Sequence, residues 1–416
     1  MMEKKPQNIL SIVGIGTILS LGYSALNYAT QITLVELFGY RLRGIFEILM
    51  SILGLTSILF SFNLYTAINL HVSKNSATPA NLVKIGSSVL LVQVVAISIL
   101  YVFSPKQGIV PEHLQTLFLV LLIIAAVLNH KVNEFTAILN GNQYFIKAKI
   151  LSLVGSAFSG SLILLAYFLG HSEVNLIVWL AVIGPFAGSY LYAKALTLTN
   201  AGLRARAGLL NFKSMYRENG AIYLISLAQF ISFKLYLLYL ARSESIEALG
   251  IFSLAYSITQ FLLLPATLLA TIIISNRSGS LGSFVNSFKI LMGYGILSCA
   301  VVKIMIEVGV LEMLPLKSLH NSSFIQMLDV MVVSTPFAVL NILTVAIAIK
   351  KNMCSKMFVA GQMMMIPLML MFYIFFSNTS VHVSAVPLAY VVTWLVASVF
   401  SGVALRTSLR KGRVSQ

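Results

Sequence analysis

Seven charged residues sit inside or beside stretches that are otherwise apolar: Glu47, Lys131, Glu134, Lys234, Lys303, Glu307 and Asp329. Each costs at least ~2.5 kcal/mol if it faces lipid, so each should face a bundle interior or a wet cavity. Spacing sorts them. Lys303 and Glu307 are four apart and Lys131 and Glu134 three apart, so each pair can neutralise itself on one helix face. For these pairs, internal charge matching and a ligand role stay equally open. Lys234 differs, because its same-face neighbours Phe230, Ile231, Leu237 and Leu238 offer no counter-charge. It is the leading candidate for contact with an anionic substrate, against pairing with an acid such as Asp329 on another helix. In the run from Asn129 to Glu134, His130 and Glu134 share a face one turn apart, a spacing that suits proton transfer near neutral pH. A structural polar seam between helices is the other reading of that run. Arg41 and Arg43 fit either an anionic head group or an interfacial anchor. The substrate candidates are thus Lys234, Lys131, Lys303, Arg41 and Arg43. The coupling candidates are His130, Glu134, Asp329 and Glu47.

Nothing else in the chain offers covalent chemistry. Cys299 and Cys354 cannot make a disulfide framework and lack the CxxC or Cys/His neighbours of a metal site. No Asp-x-Asp pair or Ser/His/Asp set is present to drive glycosyl transfer or hydrolysis. The expectation is a non-enzyme with no cofactor and no metal.

The elements that position these charges are membrane helices. At 58% hydrophobic and 10% charged, with mean hydropathy +0.92, the chain is too apolar for a soluble fold. About twelve apolar stretches approach the ~20 residues that cross a bilayer. They fall near 9–32, 44–69, 84–104, 116–138, 147–169, 174–197, 218–241, 250–275, 286–310, 324–349, 356–377 and 382–405. A span in lipid must satisfy its own backbone, and the alternation of a membrane barrel is missing, so the fold class is an all-α polytopic membrane protein. Lys4 and Lys5 before the first span resemble a signal peptide, but the span's length and the eleven that follow make it an uncleaved anchor.

With the amino terminus in the cytoplasm, twenty Lys and Arg fall in cytoplasmic segments, among them Lys74, Lys147, Lys213 and Lys350. Only five fall outside: Arg41, Arg43, Lys106, Arg242 and Lys317. That bias places both termini in the cytoplasm. The net charge of +16 then belongs to a face meeting anionic lipid and calls for no nucleic-acid partner.

The segment from Gly44 to Ile52 returns from Gly250 to Ile258 with five of nine positions identical, 206 residues on. An echo at half the chain length predicts two copies of one unit: a six-helix bundle at 1–200, a basic linker at 201–217 and a second six-helix bundle at 218–416, related as parallel repeats. The linker's Arg204, Arg206, Lys213 and Arg217 lie among apolar residues, as an interfacial helix or a positive-inside anchor would.

Leu37-Phe38-Gly39 through Gly44-Ile45-Phe46 resembles the first-to-second span region of the polysaccharide-exporter branch of the multidrug/oligosaccharidyl-lipid/polysaccharide superfamily. The turn Ile138 to Phe145 is similar to that branch's "leucine, any, Gly, any, Arg/Gln, aromatic" pattern. Ala248 to Ala255, followed by Leu264-Pro265, looks like its "Gly-any-Tyr-any-any-Ala … Pro" signature, with Phe252 where Tyr is usual. Within the branch, length and span count look most like the Wzx-type O-antigen flippases. The resemblance implies an alternating-access flippase of the bacterial inner membrane, with ion coupling left open. It would move undecaprenyl-diphosphate-linked oligosaccharide repeat units from the cytoplasmic to the periplasmic leaflet. Implied partners are that lipid-linked substrate, the bilayer, a polysaccharide polymerase and a chain-length regulator. A cation-coupled multidrug antiporter of the same superfamily is the alternative. A major-facilitator transporter would usually carry a Gly-rich, Arg-bearing loop after span two, where this chain has His71 to Pro79. A channel or scaffold fits the half-chain repeat less well.

Overall fold

The computed structural model describes residues 9–61, 64–73, 87–98, 115–169, 174–199, 212–232, 245–275, 281–313, 316–350, 356–377 and 385–414. Among the described residues every regular element is helical. Besides two short turns at Val310–Met313 and Lys317–His320, these are in chain order α1 (Ile9–Ser61), α2 (Leu64–Ser73), α3 (Ser87–Ser98), α4 (Gln115–Gly141), α5 (Phe145–Phe168), α6 (Val174–Thr199), α7 (Phe212–Phe230) and α8 (Ile246–Leu262). They continue with α9 (Leu264–Ser275), α10 (Leu281–Glu307), α11 (Ser322–Val332), α12 (Thr335–Lys350), α13 (Lys356–Met363), α14 (Met365–Ser377) and α15 (Ala385–Val414). Seven helices among the described residues are long and apolar enough to cross a membrane, or nine if each of two bent pairs is one span. The all-α polytopic class read from composition is therefore what the chain adopts.

Glycine and proline explain where the expected spans break. In α1 the first two expected spans run on as one element, interrupted only at Gly39, whose φ of 82° and ψ of 170° suit no residue with a Cβ. The expected spans 250–275 and 324–349 are instead bent pairs, α8 with α9 by 53° and α11 with α12 by 47°. Pro265 and Pro336 follow those breaks, and Pro367 follows the break between α13 and α14. A proline strands the carbonyl four residues back and its ring crowds that turn. Four back from Pro336 is Val332, where α11 ends, and four back from Pro367 is Met363, where α13 ends. Parts of the expected third and seventh spans, and most of the linker at 201–217, lie outside the described residues.

Packing groups the chain into two compact units. The amino-terminal unit is Tyr23–Phe230 with Lys234–Gly250; the carboxy-terminal unit is Met1–Gly22, Ile231–Phe233 and Ile251–Gln416. In the amino-terminal unit, Leu34, Leu42, Leu49 and Leu53 of α1 pack on Leu122, Ala125 and Ala126 of α4 and on Ile177, Val178 and Val182 of α6. A second cluster joins Leu64, Ile68 and Val72 of α2 to Ala137 and Ile138 of α4. The turn from α4 to α5 closes through Tyr144 N donating to Leu139 O at 2.8 Å, with Gln143 at φ 65°. That turn is the motif the sequence singled out between Ile138 and Phe145.

Large apolar side chains such as Phe168, Leu191, Ile296, Leu297, Phe375 and Val403 are exposed. In water this would be a liability; on a chain of spanning length it is the face that meets lipid.

Candidate functional site

Helix α4 begins apolar and turns polar at Asn129, so its second half carries the groups that need partners. Asn129 and Asn133 are one turn apart, and Asn133 Nδ2 donates to Asn129 Oδ1 at 2.7 Å. Both line a cavity of about 330 Å³ within the amino-terminal unit. The rest of its wall comes from Met50, Gly54, Ser57 and Ile58 of α1, Tyr65 of α2, Phe186 of α6, and Ser226 and Phe230 of α7. At Gly54 a Cβ would sit 2.8 Å from the Phe230 ring, so glycine admits that ring to the wall.

Immediately behind the wall are the titratable groups. His130 is fully buried, and its Nδ1 lies 2.9 Å from the Tyr65 hydroxyl, the rings meeting edge-on at 5.6 Å. Ser57 and Asn133 also lie against that hydroxyl. Lys131 Nζ donates to Glu134 Oε2 at 2.9 Å, as the three-residue spacing predicts, with the Glu134 side chain 4% exposed. His130 and Glu134 are both buried, and each is held by a partner of its own: Tyr65 for the one, Lys131 for the other.

The remaining candidates scatter. Arg43 is not an open anion contact: it is buried, with its guanidinium 3.2 Å from Glu47 and over the Phe46 ring at 5.0 Å. Arg41 is exposed on the same helix. Lys303 corrects an expectation. It pairs with Asp329 of α11 at 2.7 Å, across helices in the carboxy-terminal unit, rather than with Glu307 on its own helix. Asp329 is thereby engaged. Lys234 lies outside the described residues.

Of the cavity residues, Tyr65, Ser57, Ser226 and Phe186 carry no signal in the sequence, and Phe230 stood out only as an apolar neighbour of Lys234. Only the Asn129 to Glu134 run signalled the place; the aromatics and serines have the composition of any packed helix. Among the described residues the cavity lining is apolar, aromatic and neutral-polar, with no formally charged side chain. Among those residues, no group of three or more His, Cys, Asp or Glu could hold a metal ion.

Among the described residues the chain is helical, with broken spans and a polar-apolar cavity inside the amino-terminal unit. Solved structures make the fold specific. A mutant of the Vibrio cholerae MATE transporter VcmN is 13% identical over 96% of this chain and 95% of its own, with a TM-score of 0.64. A MATE transporter in the straight conformation is 15% identical over 97% and 96%, with a TM-score of 0.66. The eukaryotic MATE transporter AtDTX14 is 14% identical over 98% of both chains, with a TM-score of 0.60. The chain therefore has the fold of MATE transporters, members of the superfamily that the sequence resembled, whose twelve membrane-spanning helices form two bundles. No protein-family model matches the chain, and no curated protein matches it.

Proposed function

We propose that the chain is a secondary transporter that exports amphipathic organic cations in exchange for an inward-moving cation, the multidrug-antiporter alternative of the sequence reading. The observation that carries it is the MATE likeness along 96–98% of the chain. The cavity supports it: about 330 Å³ lies within the range for small-molecule sites, and Met50, Phe186, Phe230 and Tyr65 suit a flat apolar cation. Its neutral polar groups need no particular sugar or phosphate. Glu47, Glu134 and Asp329 each have a basic partner, so coupling would act through exchange of those partners.

The second reading, a flippase for undecaprenyl-diphosphate-linked oligosaccharide in a bacterial inner membrane with both termini cytoplasmic, is favoured by the three motif resemblances and by 28 Lys and Arg against 12 Asp and Glu. One experiment separates the two. Purified protein in proteoliposomes is given a pH gradient and either ethidium or a fluorescent undecaprenyl-diphosphate saccharide. The antiporter reading expects gradient-dependent ethidium accumulation. Saccharide crossing to the outer leaflet with no ethidium movement would replace it with the flippase.

A further inference from the structure

The contact between His130 and Tyr65 joins a buried titratable ring to the cavity wall. Tyr65 lines the cavity; His130 lies behind it, fully buried, with Nδ1 2.9 Å from the hydroxyl. Imidazole has two states with opposite demands at that nitrogen. In the neutral ring Nδ1 can accept the Tyr65 O–H; once both ring nitrogens carry protons, Nδ1 can only donate. The tyrosine oxygen must then accept, and its own proton has to turn elsewhere. Ser57, Asn129 and Asn133 stand around the opening into which it would turn.

We propose that protonation of His130 reverses its hydrogen bond to Tyr65 and turns the Tyr65 hydroxyl proton into the cavity, converting the site from one that holds an organic cation to one that releases it. Neutral His130 leaves the tyrosine oxygen's lone pairs and ring face to the cavity, which favours a cation. Protonated His130 puts a positive charge behind the wall and an O–H dipole pointing inward, and both repel a cation. The inference rests on reading this cavity as the substrate site, and it makes Tyr65 the positioning residue that carries proton binding to the substrate.

Among the described residues, Glu134 lies close enough to act on Tyr65, and the other charged groups on the elements around the pair are engaged or distant. On α4 the neighbours are Lys131 and Glu134, which neutralise each other. On α1, Arg43 and Glu47 lie ten or more residues before Ser57 and are paired. On α5, Lys147 and Lys149 lie beside the end of α4 at Gly141, eleven residues or about 16 Å along from His130. On α6, Lys194 is two turns beyond Phe186, with its ammonium over the Tyr190 ring. On α7, the Tyr223 hydroxyl donates to Leu59 O at 3.3 Å.

Two measurements on the full chain test it. Infrared difference spectra of ring-deuterated-tyrosine protein in phosphatidylcholine vesicles, between about pH 5.5 and about pH 8, span the range where histidine changes charge. The expected result is a tyrosine C–O band that shifts with pH in the wild type and is lost in both Tyr65→Phe and His130→Gln. Loss in either variant assigns the band if the other fails to accumulate. Ethidium affinity should fall about tenfold from the higher to the lower pH in the wild type and stay level in His130→Gln. A purely structural His130 would lower affinity equally at both pH values. No shifting tyrosine band in the wild type overturns the switch, whatever ethidium does. A shifting band with no ethidium binding at any pH keeps the switch and overturns the organic-cation reading.

Discussion

Gly44 on α1 and Gly250 on α8 meet at a helix crossing: Gly44 lies against the first turn of α8, and Gly250 lies against Tyr40, one residue past the Gly39 break in α1. A Cβ on Gly44 would overlap the carbonyl oxygen of Ile246, and a Cβ on Gly250 would overlap that of Tyr40. Tyr40 and Ile246 are themselves 206 apart, as the two glycines are. The contact is therefore self-complementary, residue for residue, in the manner of a two-fold interface. Both glycines, Tyr40 and Ile246 belong to the amino-terminal unit, so the close approach lies within it.

Gly44→Ala and Gly250→Ala should each destabilise the protein. In an unobstructed helix, Gly→Ala stabilises by about 0.4–1 kcal/mol through the unfolded chain. Here the added methyl meets backbone, and overpacking of that kind costs about 1–3 kcal/mol. Gly293→Ala and Gly402→Ala are the controls, because nothing lies within 4 Å of a Cβ at either position. Thermal unfolding in detergent should show the first two falling and the controls level or rising; four equal shifts would contradict the close crossing.

The charge pairing of Lys303 separates the observed partner from the one sequence spacing favoured. Lys303→Asp alone should reduce folded yield, because it sets two acids side by side in α10 and α11. Adding Asp329→Lys should restore it, and adding Glu307→Lys should not. Rescue by Glu307→Lys alone would return the pair to the single-helix arrangement.

In the carboxy-terminal unit Asn341, Gln362 and Ser401 form a fully buried polar cluster joining α12, α13 and α15. Gln362 Nε2 donates to Asn341 Oδ1 at 3.0 Å, and Ser401 Oγ donates to the same oxygen at 2.7 Å. Gln362→Leu should cost about 1–3 kcal/mol in unfolding, since it removes a donor from a buried acceptor. An unchanged melting temperature would mean that the cluster reorganises freely.

These cases show what could be read from the chain and what could not. Helical class follows from composition, because lipid admits few backbones, and Lys131 with Glu134 follows from a spacing of three on one helix. Gly39 and Gly44 were legible as a motif, though only the fold gave their roles: a backbone break and a close crossing. Lys303 with Asp329 was not legible, since the partners are 26 residues apart on different helices, and Tyr65 with His130 are 65 apart. The span breaks were missed although Pro265 and Pro336 were in plain view, because hydropathy continues across them without a dip.

The central claim is that an organic cation passes through the cavity beside α4, and a side chain large enough to fill it tests this most directly. Ser226 lines the cavity, while Leu224, two residues earlier on α7, faces outward and is 39% exposed. Ethidium transport driven by a pH gradient would be measured in proteoliposomes carrying Ser226→Trp or Leu224→Trp at matched protein. The account predicts that Ser226→Trp abolishes transport while Leu224→Trp keeps it, both proteins melting within a few degrees of wild type. Full transport by a well-folded Ser226→Trp protein would contradict it.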